Sequence, residues 1–509
     1  KKNGDKVAIV YRDSEYTYSF IDAQSNRISQ WLLETGVISG DRVIIYGKNS
    51  EQFIVALFGI LKIGAAFVPV HPITPIAKLE FILQDCTPKV IIVDHDLVVE
   101  HSPIKDGCRS VLFMLNSEHS HKTPTNINTW GDLEFFDDCK PDINITSDDL
   151  AAIIYTSGST KEPRGVKEPH RKIVFATSAI NSVIKNRFED RIFCGLPFSF
   201  DYGLYQIFLS FQVGATLILE NDFGNPLSIP RILRLYEVTG FPGVPSVFAM
   251  LLHSRLLERV ELPKLRYITS TGDVFPVPHI RKLKELFPHT TIYPMYGLTE
   301  CKRACIMQEG EWRTHESSVG KPLPGTRVSV VDEKGGEVSS GNIGELVITG
   351  PHVMDGYWND HLETNRRFRK DKLTGEIILY SGDFFKKDQD GFLYFMGRDE
   401  TFIKTRGQKV SPAEIESFFC NFQGIAESAA IGIPDPILGE SVCVFVSLIE
   451  KNSVEIKELF KQCKHALSPA ACPKYIIPLK TFLPKTQNGK IDRIKLRSMA
   501  MKAFDDNGK

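Results

Sequence analysis

The run Tyr155-Thr156-Ser157-Gly158-Ser159-Thr160-Lys161-Glu162-Pro163-Arg164-Gly165-Val166 is the densest set of phosphate-handling groups in the chain. It follows the apolar stretch Ala151–Tyr155, so the expected loop can aim backbone N–H groups and hydroxyls at phosphate oxygens, with Lys161 and Arg164 adding positive charge. The run lacks the G-x-x-x-x-G-K-[ST] spacing of a P-loop. Taken alone it also reads as an ordinary Ser/Thr/Gly turn. Tyr296-Gly297-Leu298-Thr299-Glu300 offers a hard carboxylate of the kind Mg2+ takes, or else a helix-capping Thr followed by a solvated Glu. Tyr380-Ser381-Gly382-Asp383 and Gly397-Arg398 flank a hairpin and supply an acid and a base, although Asp383 alone reads as a turn residue. In Pro484-Lys485-Thr486-Gln487-Asn488-Gly489-Lys490-Ile491-Asp492 an Asn-Gly turn puts Lys490 at a loop tip, where it is either solvated or placed to stabilise charge that develops during a reaction.

The elements that must hold these groups follow from hydrophobic pattern. Short apolar runs alternate with helical patterns through Arg42–Tyr46, Val55–Ile63, Ala66–Val70, Leu79–Gln84 and Val90–Val93. The rhythm recurs through Ala151–Tyr155, Ile192–Gly195, the helix after Asp201, Ala215–Leu219 and Leu265–Ser270. Strands separated by helices of this length predict α/β architecture with doubly wound parallel sheets. From about Gly325 the texture changes to Arg327–Asp332, Gly344–Gly350 and Glu376–Tyr380, strands joined by Gly/Asp turns, which predicts a β-rich, mostly antiparallel subdomain. A break falls at Gly397-Arg398-Asp399-Glu400. Beyond it the pattern predicts a small α+β unit with a helix over Ala413–Phe419, strands over Ala429–Ile433 and Val442–Leu448, a helix near Val454–Ala466 and a last strand before Pro484. The expected division is a large domain over 1–398 and a small one over 399–509.

These motifs, in this order, resemble those of the AMP-forming adenylating enzymes, the superfamily of acyl-CoA synthetases, luciferases and peptide-synthetase adenylation domains. The nearest likeness is to stand-alone amino-acid or acyl adenylation enzymes. Leu61-Lys62-Ile63-Gly64-Ala65-Ala66-Phe67-Val68-Pro69-Val70, Gly344-Glu345-Leu346-Val347-Ile348 and Gly356-Tyr357-Trp358 also resemble family segments, largely scaffold. The resemblance implies ATP and Mg2+ as cofactors and a phosphopantetheine thiol, of a carrier protein or of CoA, as acceptor. It implies nucleotide contacts from Thr156, Ser157, Gly158, Ser159, Thr160, Arg164, Tyr296, Gly297, Asp383 and Arg398. Thr299 would touch the α-phosphate, Glu300 would help hold the metal, and Lys490 would bridge the attacking carboxylate and the α-phosphate. Glu400 falls at the family's hinge acid, usually Asp, so the small domain is expected to be mobile, and Gly407 corresponds to a glycine beside the pantetheine channel. Lys161 stands where the family usually has Gly, and Arg164 where it has Lys; Arg can clamp phosphate bidentately rather than as a point charge.

Phe198-Ser199-Phe200-Asp201-Tyr202 resembles the segment in which peptide-synthetase adenylation domains pair an Asp with the substrate ammonium. Asp201 also reads as the N-cap of a helix with Leu204, Ile207, Phe208 and Phe211 on its apolar face. By position the substrate pocket would be lined by Tyr202, Tyr205, Pro242, Thr269, Thr271, Met295, Arg303 and Ala304. The two tyrosines restrict its volume and argue against a long acyl chain. Lys302 and Arg303 are an unusual pair of cations there: one could receive a second carboxylate or polar tail, or both could face solvent or screen phosphate.

The bulk numbers bound the rest. With 509 residues, 61 basic and 62 acidic, the formal charge is −1, so no global field recruits nucleic acid or an anionic membrane. Ten cysteines without a C-x-x-C pair read as reduced thiols of a cytoplasmic enzyme. Cys194–Leu219 is apolar but carries Asp201, Gln206 and Gln212, which predicts a buried helix–strand pair and not a membrane span. The chain opens without Met, so the natural N-terminus is expected upstream, and it ends soon after Lys490, so a carrier domain is expected to be a separate protein. Three readings follow: an amino-acid–carrier-protein ligase, a small-acid CoA ligase, and a non-catalytic nucleotide-binding relative.

Overall fold

Strands buried on both faces must be apolar nearly throughout, and Arg42–Tyr46, Ala66–Val70 and Val90–Asp94 meet that demand. They form the middle of a seven-stranded sheet in the order Ile127–Thr129, Ser110–Met114, Val90–Asp94, Arg42–Tyr46, Ala66–Val70, Leu150–Thr156, Arg164–Pro169. Its neighbours are parallel except at one edge, where Leu150–Thr156 and Arg164–Pro169 pair antiparallel and so frame the Ser/Thr/Gly loop. The structure is a computed structural model that describes residues 4–94, 110–114, 127–156, 162–221, 223–448, 455–486 and 489–507.

A second sheet of nine strands runs Lys321–Pro322, Cys305–Ile306, Thr291–Tyr296, Tyr267–Ser270, Gly240–Gly243, Arg191–Cys194, Thr216–Leu219, Val7–Tyr11, Ser14–Thr17. Its centre is parallel, and its crossovers carry helices such as Asp201–Val213. One large core joins strands of both sheets with the helices Tyr18–Glu34 and Glu51–Lys62. Those helices touch at Gly59, where an added Cβ would sit 2.5 Å from Ile28 Cγ2. The apolar stretch Cys194–Leu219 resolves into strand end, helix and strand, and among the described residues no helix is long and apolar enough to cross a membrane.

The β-rich expectation holds. Arg327–Val331, Ile343–Thr349, Ile377–Lys387, Phe368–Lys370 and Leu393–Arg398 make an antiparallel sheet. The expected strand Glu376–Tyr380 is too short by about half. The observed strand continues to Lys387 because a bulge at Ser381–Asp383 lets pairing resume beyond it, with Gly382 at φ +71°. Asp383 is therefore a strand residue beside a bulge.

After Leu393–Arg398 a single 3-10 turn, Asp399–Thr401, leads into a different five-stranded sheet: Gln408–Val410, Ile403–Thr405, Gly439–Leu448, Ile425–Asp435, with Tyr475–Leu479 also pairing with Gly439–Leu448. Pro412–Cys420, capped by Ser411, and Ile456–Ala466 fill their expected places. The helix Arg493–Asn507 is an addition to the expected elements, since its first turns alternate charge and apolar residues without a clear stripe. Phe419 is 0% exposed in the core of this unit. Phe419→Ala should cost about 3–5 kcal/mol in urea unfolding of this part of the chain; a loss below about 1 kcal/mol would mean that the site repacks.

Candidate active site

A cleft opens where the nine-stranded sheet, the antiparallel sheet and the C-terminal sheet meet. Thr271, Met295, Tyr296, Gly297, Asp383 and Arg398 line it from one side, and Glu416, Lys490 and Arg493 from the other. Residues far apart in the sequence are thus brought together as their motifs implied.

Asp383 is the hub. Its two oxygens accept from the Tyr296 hydroxyl at 2.6 Å and from Arg398 Nε at 2.9 Å. Strand pairing fixes the second contact, because Asp383 faces Arg398 directly across the ladder. The carboxylate holds the Arg398 guanidinium above its ordinary pKa, and burial, then Asp383, pushes the Tyr296 hydroxyl up. The Tyr296 ring packs edge-on to Phe385 at 4.6 Å and parallel to Phe395 at 6.4 Å.

Lys490 enters from the opposite wall on a tight turn. Thr486 N–H donates to the Lys490 carbonyl at 2.7 Å and Gly489 N–H to the Thr486 carbonyl at 3.0 Å, while Lys485 bridges to Ile491. The turn lies against Gly272, where an added Cβ would be 3.8 Å from Lys490 Cε. Burial lowers the pKa of the ammonium and the Arg398 charge lowers it further, against Asp273, Asp201 and Asp383.

Thr299 and Glu300 lie in a turn after strand Thr291–Tyr296, so the helix-cap reading of Thr299 is corrected: no helix follows it. Glu300 is buried, and its Oε1 accepts from Tyr357 at 2.5 Å and from Arg367 Nη1 at 2.8 Å. Neither partner is evident in the sequence. Tyr357 belongs to a segment whose resemblance points to scaffold, and Arg367 sits in a charged stretch that looks like an ordinary surface helix. Both bonds use the same oxygen, so among the described residues Oε2 is left as a hard donor for a cation whose remaining ligands come from phosphate and water, and this residue fits Mg2+.

The residues expected by position to line a substrate pocket also lie close together. Pro242 and Thr269 are register partners on adjacent strands, and the Tyr202 hydroxyl and Thr269 Oγ1 are 2.7 Å apart. Arg303 stacks over Tyr202 at 4.9 Å, Lys302 lies 5.2 Å from the Tyr205 ring centre, and Ala304 shares a buried cluster with Tyr296. Three expectations need correcting. Asp201 is not an N-cap: Phe200 holds that position, and Asp201 is the first helical residue and makes no capping bond. Lys302 and Arg303 do not face solvent: both are buried, and Lys302 pairs with Glu168 and Asp201. Arg164 is not among the cleft residues, because Asp360, 3.1 Å from its Nε, draws it into a different cavity beside Asp85 and Trp358.

Thr156 stands at the end of its strand with Oγ1 3.4 Å from the Arg164 carbonyl, while Ser157, Gly158, Ser159, Thr160 and Lys161 lie outside the described residues. Glu400 is exposed in the turn between the sheets. Gly407 is exposed too, in a two-residue hairpin turn with Arg406, their φ angles +71° and +53°. The structure brings neither into the cleft.

The cleft lies between an α/β body and a lysine-bearing α/β unit, and the comparisons with known proteins say which class of protein has this arrangement. The family model "AMP-binding enzyme" matches residues 1–358 and "AMP-binding enzyme C-terminal domain" matches 414–490, so the chain belongs to the AMP-binding enzymes. It is 28% identical over 502 residues to gramicidin S synthase 2 of Brevibacillus brevis, covering 97% of this chain and 11% of that protein. The chain thus spans about a ninth of the length of that relative. It is also 27% identical to a long-chain-fatty-acid–CoA ligase of Bacillus subtilis (strain 168), covering 97% of this chain and 91% of that one. Among solved structures it is similar to the anthranilate CoA ligase AuaEII in complex with anthranoyl-AMP, with 25% identity, TM-score 0.89 and coverage of 99% and 96%. It is likewise similar to VinN, with 32% identity, TM-score 0.68 and coverage of 77% and 95%.

Gly297 joins Tyr296 to the Glu300 turn so closely that a Cβ would lie 1.9 Å from the Lys302 carbonyl oxygen. Gly297→Ala should therefore displace the turn, lower the melting temperature and weaken AMP binding together. Unchanged calorimetric affinity for AMP would show that the turn and the cleft are uncoupled.

Proposed function

We propose that this chain is an ATP-dependent, AMP-forming acid–thiol ligase that adenylates a small carboxylic acid, an amino acid in the reading favoured here, and passes it to the pantetheine thiol of a carrier protein. The observation that carries the ligase reading is that half-buried Lys490, from the C-terminal unit, lines the same cleft as Tyr296, Asp383 and Arg398. In the first step a carboxylate oxygen of the acid attacks the α-phosphorus of ATP, and the bond to pyrophosphate breaks. Lys490 neutralises charge that gathers between the two reactants. Asp383 and Arg398 hold the ribose, Tyr296 offers its ring to the base, and Thr299 and the loop from Thr156 through Thr160 hold phosphate oxygens. Bound Mg2+ would neutralise phosphate charge, with Glu300 as its protein ligand. In the second step the thiol sulfur attacks the acyl carbon, AMP leaves and the thiol proton is lost. For that step the unit beyond Arg398 turns about Glu400, which brings Gly407 to the thiol channel.

Asp201 supports the amino-acid reading. It is only 8% exposed, and among the described residues its side chain makes no hydrogen bond and has one ion pair, to Lys302 at 3.8 Å. A buried carboxylate so poorly satisfied suits a substrate ammonium. The likeness to the anthranilate CoA ligase along nearly the whole of both chains favours a second reading, a CoA ligase for a small acid. The two share every step except the identity of the thiol. ATP–pyrophosphate exchange measured across amino acids and their des-amino counterparts, then thioester formation with CoA or with a phosphopantetheinylated carrier, separates them.

Lys490→Ala should abolish most adenylate formation while leaving ATP affinity nearly intact, and should spare thioester formation from preformed adenylate. Equal loss in both half-reactions would remove Lys490 from this role.

If Asp201 binds the ammonium, Asp201→Ala costs the native amino acid about 3–5 kcal/mol, because a buried cation loses its partner. A des-amino analogue should be used as well or better. A wild-type enzyme that already prefers acids without an amine would sink the amino-acid reading.

A further inference from the structure

Two buried acids share one buried ammonium behind the substrate pocket. Glu168 is 0% and Lys302 2% exposed, and Lys302 Nζ donates to Glu168 Oε1 while lying 3.8 Å from Asp201 Oδ2. Both partners are fixed by backbone. Glu168 sits on strand Arg164–Pro169, opposite Ala152. Lys302 has φ +61°, in the left-handed region that a non-glycine residue seldom adopts, and its N–H bonds to the Leu298 carbonyl at 2.6 Å. That turn sends the side chain inward past the Tyr205 ring.

An ammonium between two carboxylates cancels the one it binds more closely. Here that is Glu168, which leaves Asp201 with unfilled hydrogen-bonding capacity. Burial pushes the Glu168 carboxyl up, and the Lys302 ammonium pulls it back toward the ionised form. Were the Glu168 charge removed, a flexible lysine stem would need to move only about an ångström to bring Nζ into hydrogen-bond range of Asp201. It would then stand where a substrate ammonium would stand.

We propose that Glu168 is a specificity-determining positioning residue: by holding Lys302 off Asp201, it keeps that carboxylate free for the ammonium group of the substrate. The proposal rests on the amino-acid reading of Asp201 given above, and it identifies what makes that reading compatible with a lysine so close by.

The test measures pyrophosphate exchange for the best amino acid and its des-amino analogue in the wild type, Glu168→Gln, and the double variant Glu168→Gln/Lys302→Met. In Glu168→Gln the KM for the amino acid should rise about tenfold or more, with kcat and the KM for ATP little changed, while the analogue is used as well as before. Adding Lys302→Met should restore the preference for the amine, because no internal ammonium remains to fill the place beside Asp201. Glu168→Gln with unchanged selectivity, or with equal loss for both substrates, overturns the proposal. If Glu168→Gln does not fold, the double variant decides, since it removes both charges together: retained amine preference supports the proposal, and its loss overturns it. A wild type indifferent to the amine would overturn the Asp201 reading itself, a result distinct from the failure of Glu168 alone.

Discussion

The carboxylate of Asp383 is the constraint around which the cleft is built. It is buried, so it must be paired, and it is paired twice, with a tyrosine from one sheet and an arginine from the neighbouring strand of its own. The bulge at Ser381–Asp383 exists in a strand that otherwise pairs regularly, and Ser381 ties it down by donating to the Leu346 carbonyl at 2.6 Å. Arg367 reaches the Ser381 carbonyl and Glu300 at once, so one guanidinium links the strand that carries Asp383 to the turn that carries Glu300. The two acids, one suited to sugar hydroxyls and one to a cation, are thereby held in fixed relation before any ligand arrives.

The charged cluster around Asp201 follows the same rule with more charge and less solvent. Glu168, Asp201, Lys302 and Arg303 are all buried, two of each sign. Such a set costs more to desolvate than an apolar pocket would, and replacing it by well-packed hydrophobic residues would be expected to stabilise the fold. Its presence is therefore no argument for stability, and it accords with the recognition role proposed for Asp201 and Glu168. Arg303 sharpens the point: it donates to the Lys302 carbonyl at 2.9 Å, leans on Tyr202, and leaves Nε without a partner among the described residues.

How much of this is legible in the chain depends on sequence distance. The alternating strands and helices are legible because burial on both faces writes itself as apolar runs such as Val43–Tyr46. Lys490 and Asp383 read alone as a solvated loop charge and a turn residue, and they stand out only because their motifs resemble those of the adenylating enzymes. Glu168 and Lys302 are not: 134 residues separate them, and each alone is by default a solvated surface charge. Arg164 misleads for the same reason, since nothing near it in sequence announces Asp360 as its partner. The capping reading of Asp201 fails by one residue, the usual uncertainty at a helix start, yet that residue separates a capping bond from a buried carboxylate whose one ion pair is to Lys302.

The placement of Lys490 has a consequence for how the two parts of the chain work together. Its ammonium sits in a desolvated cleft beside the like charge of Arg398, with three carboxylates at longer range. Water would solvate this group better if the C-terminal unit moved away. Negative charge delivered to the cleft, as a nucleotide phosphate would be, reverses that preference, because the lysine then gains a close counter-charge in a medium of low dielectric. By linkage, whatever binds the closed arrangement more tightly draws the C-terminal unit in, and consumption of that charge releases it. On the reaction proposed above, this half-buried lysine would give closure a physical reason to depend on bound nucleotide, and reopening a reason to follow the loss of pyrophosphate.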